Sequence, residues 1–155
     1  MDKLANGNEL SPAIDFLEAG EYAEAQKWLT KFIEANPDNP ESLSLLSKVL
    51  LLDNQVLESE RTLLAAVAIS PDLLSVHLNQ ARLWLKQAKP VEALEKAQSG
   101  YGLVPEDPES CLVLAACLSA NQRDHEALPL LEKALRTKPN YAEAFASRAL
   151  LRLKE

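Results

Sequence analysis

The residues in this 155-residue chain that could carry chemistry are few, and their spacing works against it. Its two cysteines, Cys111 and Cys117, lie six positions apart in one apolar run, so on a helix they point about 120° away from each other. They can share neither a disulfide nor a metal, and they read as buried thiols. His77 and His125 belong to different helical segments and form no ligand pair, and a Cys111–His77 contact would still be two ligands short of a zinc site. There is no glycine-rich phosphate loop, no paired-cysteine motif, and no serine, histidine and acid set in a recognisable context. Carboxylates are abundant, but Glu21, Glu24, Glu58, Glu60, Glu92 and Glu95 fall at helix starts or on solvent faces, where they serve helix ends and solubility. The residues therefore predict no enzyme, no cofactor and no metal.

The elements that would position any site are organised by a ruler of four prolines. Pro37, Pro71, Pro105 and Pro139 stand 34 residues apart, and a fixed period of that length marks a stacked repeat protein. Small residues share two columns of this period: Ala13, Ser47, Ala81, Ala115 and Ala149, then Ala25, Ser59, Ala93 and Ala127. Both are places where two helices could approach closely. Large apolar residues fill a third column at Phe16, Leu50, Trp84 and Leu118, which ends at Arg152. With 47% hydrophobic residues, 5% aromatics and four glycines, the balance favours helices packed through Leu and Ala over a sheet.

The spacing predicts a polar leader over residues 1–8, then helices over 9–19 and 21–35, with Pro12 in an opening turn and Gly20 closing the first helix. Further pairs are expected over 41–53 and 55–69, 72–87 and 90–103, and 109–120 and 123–137, followed by a last helix from Asn140 or Tyr141. Asp53 and Asn54 hold the turn that Gly20 holds in the first pair. Gly100 takes the place of Phe32, Ala66 and Ala134, and should admit a closer neighbour. Pro129 should kink its helix or cost it the backbone bond to His125. Leu50, Trp84 and Leu118 are expected in the core.

The best-formed line, Gly20-Glu21-Tyr22-Ala23-Glu24-Ala25 running on to Ala35-Asn36-Pro37-Asp38, resembles the tetratricopeptide repeat, and the resemblance covers nearly the whole chain. It implies an all-α, right-handed superhelical α-solenoid of antiparallel helical hairpins that binds peptides or partner proteins. Laid out this way, residues 1–155 are one domain, with repeats at about 6–39, 40–73, 74–107 and 108–141 and a partial or capping helix over 142–155. Arg148 and Arg152 stand where Leu114 and Leu118 stood one period earlier, as suits the wet face of a terminal unit, although Arg148 equally suits an ordinary unit of the family.

In that family the face of each first helix opposite the hairpin core lines a concave groove. Its columns here read Leu10, Ser44, Leu78, Leu112, Ala146; then Ile14, Lys48, Arg82, Ala116, Leu150; then Leu17, Leu51, Leu85, Ser119, Leu153. The expected site is an apolar trough of Leu51, Leu78, Leu85 and Leu112 holding a cationic patch of Lys48 and Arg82, with Asn79 and Lys86 close by. It would take a protein segment that is apolar with an acidic group. The family's clamp for chaperone C-terminal carboxylates needs a Lys and an Asn one turn apart, an Asn in the next unit, and a Lys and an Arg in the third. Asn79 matches the middle element, but Ser44 and Lys48 stand at the first pair and Glu109 and Val113 at the last, so the clamp is absent.

The formal charge of −7 disfavours nucleic acid, which is held by Lys and Arg. No stretch has the length of a membrane span or a signal peptide's apolar core, and the simplest reading is a cytoplasmic chain. Two other readings remain beside the scaffold. One is a regulatory or substrate-positioning region of a larger enzyme such as a bacterial transferase, and the other is a module that pairs with a second copy as a homo-oligomer.

Overall fold

A computed structural model describes residues 9–155, and the polar leader expected over residues 1–8 lies outside the described residues. Among the described residues the chain is helical throughout. The helices are α1 (Ser11–Glu18), α2 (Tyr22–Ala35), α3 (Pro40–Leu52), α4 (Val56–Ile69), α5 (Leu74–Lys86), α6 (Pro90–Leu103), α7 (Pro108–Ala120), α8 (Asp124–Thr137) and α9 (Ala142–Leu153). They form two compact units, one ending at Asn79 and one beginning at Gln80, so that the division falls within α5.

The proline ruler works through the residue ahead of each proline. Asn36, Ser70, Val104 and Lys138 cap the second helices with extended ψ of 64°, 83°, 81° and 87°, because a following proline excludes the helical conformation. Each of the four donates its N–H four residues back, to Phe32, Ala66, Gly100 and Ala134. Each accepts in turn from the residue three further on, Asn39, Leu73, Asp107 and Tyr141. Two of the first helices that follow are also capped by a side chain. Asn39 accepts from the Ser42 N–H at 2.8 Å and Asp107 from the Ser110 N–H at 2.8 Å, each with a proline at the first helical position.

The turn inside each hairpin obeys the same period. Gly20, Asn54, Ala88 and Gln122 have φ of 74°, 66°, 58° and 61°, one left-handed residue per hairpin. Their N–H groups bond to Leu17, Leu51, Leu85 and Ser119, and the next N–H groups to Phe16, Leu50, Trp84 and Leu118. That pairing is the Schellman closure, which satisfies the carbonyls at a helix end. Gly20 is therefore used as expected, and the other three hairpins make the same turn without glycine.

In the first unit α1 packs on α2, α2 on α3 and α3 on α4. Its core gathers Leu10, Ala13, Ala25, Leu29 and Val49, with the stacked rings of Trp28 and Phe32 (centroids 5.3 Å apart) partly covered beside it. In the second unit α6 packs on α7, α7 on α8 and α8 on α9. Both small columns are buried from Ala13 to Ala115 and from Ala25 to Ala127. In the third column Leu50 and Leu118 are buried, whereas Phe16 and Trp84 are half-buried. Trp84 thus lies at the margin of the core rather than within it, since so large a ring is seldom fully enclosed. Pro129 is exposed and α8 runs through it from Asp124 to Thr137. A proline has no N–H to return to the His125 carbonyl, so one rung of that helix is lost while the helix continues.

Candidate partner-binding surface

The three columns of the expected groove behave differently, and burial separates them. Leu10, Ser44, Leu78 and Leu112 are buried. This column packs the array internally, and Leu78 and Leu112 have almost no surface to give a partner. Leu51 is also buried, at 4% exposure. The apolar trough expected from Leu51, Leu78 and Leu112 is corrected accordingly: these three leucines are core, and only Leu85 of the four keeps a half-buried surface. The column that stays at the surface is Ile14, Lys48, Arg82, Ala116 and Leu150, of which Lys48 and Arg82 are half-buried.

In the first unit, Asn79 is 3% exposed and works as a structural cross-link. Its amide donates to the Ser44 carbonyl and to Ser44 Oγ, both at 2.9 Å, joining α5 to α3. A buried amide requires such partners, so the side chain is committed to the fold. Ser47 and Ser59, which replace the Ala–Ala pair of the other hairpins, are both buried. Ser59 Oγ donates to the Ser47 carbonyl at 2.7 Å, and the two hydroxyls lie 3.1 Å apart.

In the second unit, Arg82 on α5 donates through Nη1 to Glu109 Oε1 on α7 at 2.7 Å, with side chains 14% and 35% exposed. Burial works against the Arg82 charge, but the Glu109 carboxylate more than offsets it and holds the guanidinium above its usual pKa. Arg82 is therefore a paired cation that joins two first helices, which the sequence reading as a partly exposed cation missed. The signal was present in Glu109 itself, already notable as a departure from the chaperone clamp. Burial pushes the Tyr141 hydroxyl up, and the nearby Glu109 carboxylate adds to that effect. Lys86, one turn after Arg82, is exposed.

Burial likewise raises both thiols, with Cys117 pushed up to about 12, so neither is a thiolate at neutral pH. Among the described residues no group of three or more His, Cys, Asp and Glu could hold a metal, and no helix is long and apolar enough to cross a membrane.

Repeated helical hairpins closed by the same turn and the same proline-led link define an all-α helical-repeat solenoid. Residues 12–73 match the tetratricopeptide repeat family model, and the described residues share the fold of tetratricopeptide repeat proteins. It is similar in structure to a thermophilic TPR protein of Thermus thermophilus, with a TM-score of 0.82 at 18% identity over 96% of this chain and 81% of that one. PilF of Pseudomonas aeruginosa aligns with a TM-score of 0.70 at 20% identity, over 97% of this chain and 68% of the other. The TPR domain of Arabidopsis OM64 aligns with a TM-score of 0.63 at 15% identity, over 75% of this chain and 96% of that domain. Among curated protein sequences none matches the chain.

Proposed function

We propose that this chain is a non-enzymatic scaffold that holds a segment of a partner protein on the outward faces of its first helices. The observation that carries this reading is the column that remains at the surface, which mixes apolar residues with Lys48 and Arg82 on a chain of net charge −7. Cations held at the surface of an acidic protein select against basic partners and favour a segment bearing a carboxylate beside apolar side chains. In the first unit the contact is assigned to Lys48. In the second it is assigned to Leu85 and Lys86. Leu51, Leu78, Leu112 and Asn79 support this face from beneath.

Selection from a displayed random-peptide library tests the reading. The wild-type chain is expected to enrich acidic, apolar peptides, and Lys48→Glu combined with Lys86→Glu is expected to weaken them about tenfold or more. Arg82 is left unchanged, because a carboxylate there would face Glu109. Undiminished binding by the double variant, with loss on Leu57→Glu or Val91→Glu, would move the site to the exposed faces of the second helices.

A further inference from the structure

Lys48 on α3 and Arg82 on α5 occupy one position of the period, the first in one unit and the second in the other. The chain treats the two cations differently. Arg82 receives a carboxylate from within its own unit: Nη1 donates to Glu109 Oε1 at 2.7 Å, and the arginine side chain is left 14% exposed. Glu109 lies in the first turn of α7, 27 residues after Arg82. The residue at the same offset from Lys48 is Ser75, half-buried in the first turn of α5, a turn that holds no acid. At the same offset from Ala116 stands Glu143, exposed in the first turn of α9, with an alanine where the other two places have a cation.

The position held by Ser75, Glu109 and Glu143 therefore decides whether a carboxylate of the chain is offered to the cation position one first helix earlier. An arginine and a carboxylate form a charge-assisted hydrogen bond, among the strongest contacts a side chain makes. A second carboxylate arriving from a partner must then compete for the same N–H donors, and it is repelled by the acid already in place. A neutral serine brings neither effect. Repulsion from a fixed like charge is a common way for a surface to direct a ligand elsewhere.

We propose that this position sets where the acidic group of the partner segment lands. Glu109 is an internal carboxylate that closes the Arg82 position to it, whereas Ser75 brings no such competitor to Lys48. The inference rests on the scaffold reading above and adds to it the residue that determines specificity in each unit.

The test uses the full chain and a short, end-blocked fluorescent peptide of leucine, serine and glutamate, beside the same peptide with glutamine for each glutamate, read by anisotropy. Glu109→Gln is expected to tighten binding of the glutamate peptide about tenfold and Ser75→Glu to weaken it about tenfold, with the glutamine peptide unmoved by either. Glu143→Gln removes the same charge from the same position of the period, where the cation is replaced by Ala116, and is expected to change binding by less than about twofold. Because Glu109→Gln removes the partner of a largely buried cation, Arg82→Met combined with Glu109→Gln is measured too, and is expected to lose the gain. Ser75→Gln, of similar size to Ser75→Glu but uncharged, is expected to bind as the wild type does. Equal gains from Glu109→Gln and Glu143→Gln, or a gain that survives Arg82→Met, would overturn the proposal by reducing the effect to net charge. So would equal losses from Ser75→Glu and Ser75→Gln, by reducing it to shape. A wild-type chain that prefers the glutamate peptide, with no change in either Glu109→Gln or Ser75→Glu, would overturn it and leave the scaffold reading standing. Absence of binding by every form would overturn both.

Discussion

At the scale of single residues, the hairpin turns assign one conformation to four residue types. Gly20 adopts its left-handed φ at no steric cost, Asn54 tolerates it, and Ala88 and Gln122 bear a penalty of about 1 kcal/mol for a side chain in that region. Ala88→Gly and Gln122→Gly are each expected to stabilise by about 0.5–1 kcal/mol, raising Tm by roughly 1–4 °C in thermal melts. Gly20→Ala should do the reverse for backbone reasons alone, since an added Cβ meets nothing within 4 Å. The Ser47–Ser59 pair gives a second prediction. Ser59→Ala leaves the buried Ser47 hydroxyl without its partner across the hairpin and should cost about 1–2 kcal/mol in urea unfolding. Ser47→Ala with Ser59→Ala restores the Ala–Ala pairing of the other hairpins, so the double variant should be less destabilised than the sum of the singles.

At the scale of the element, α9 is the helix whose attachment depends on exposed charge. Lys154, at its C-terminal cap, reaches Asp124 at 3.4 Å, and Arg152 reaches Glu132. The Ser119 hydroxyl, 2.6 Å from Asp124, and then the Lys154 ammonium hold the Asp124 carboxyl below its usual range. A depressed carboxyl pKa contributes stability that is present above the unfolded value of about 3.9 and is lost as pH falls through the folded value. The last turn of α9 is therefore expected to loosen selectively below about pH 4, seen as faster amide hydrogen exchange near Leu151. Asp124→Asn should remove that acid-dependent step while leaving exchange in α7 unchanged. An α9 whose exchange is indifferent to both changes would show that Ala144 and Leu151 alone hold it.

For the molecule as a whole, the balance of 16 Lys and Arg against 23 Asp and Glu sets which partners can approach. Polynucleotides are attracted through released counterions in proportion to the phosphates neutralised, and a net acidic chain forgoes that term. No retention of single- or double-stranded RNA is expected in a gel shift at low salt, where such binding would be strongest. Retention that falls steeply with salt would reverse the assignment of partner class. The local cations, Lys48 and Lys86, act against this acidic background, which is why their reversal rather than their removal is the informative change.

The period, the helices and the proline-led links were legible in the sequence because each rests on local backbone energetics that one residue type expresses. A proline disfavours helix in the residue before it wherever the chain goes, and columns of alanine and serine record a close approach that bulky side chains do not permit. The helix limits follow to within a residue or two, from Tyr22–Ala35 to Pro90–Leu103. The turn at Ala88 and Gln122 carried no signal in its own residues, although adding the period to Asn54 points to both. Surface was decided only in three dimensions. Leu51, Leu78 and Leu112 look like groove residues by helical angle, yet their exposure depends on what lies over them, and helical angle holds no record of that. Arg82 finds its acid 27 residues away on another first helix, and Asn79 finds Ser44 35 residues back. Such pairings form when stacking brings distant segments within about 3 Å, so tertiary structure determined which cations and leucines stay at the surface.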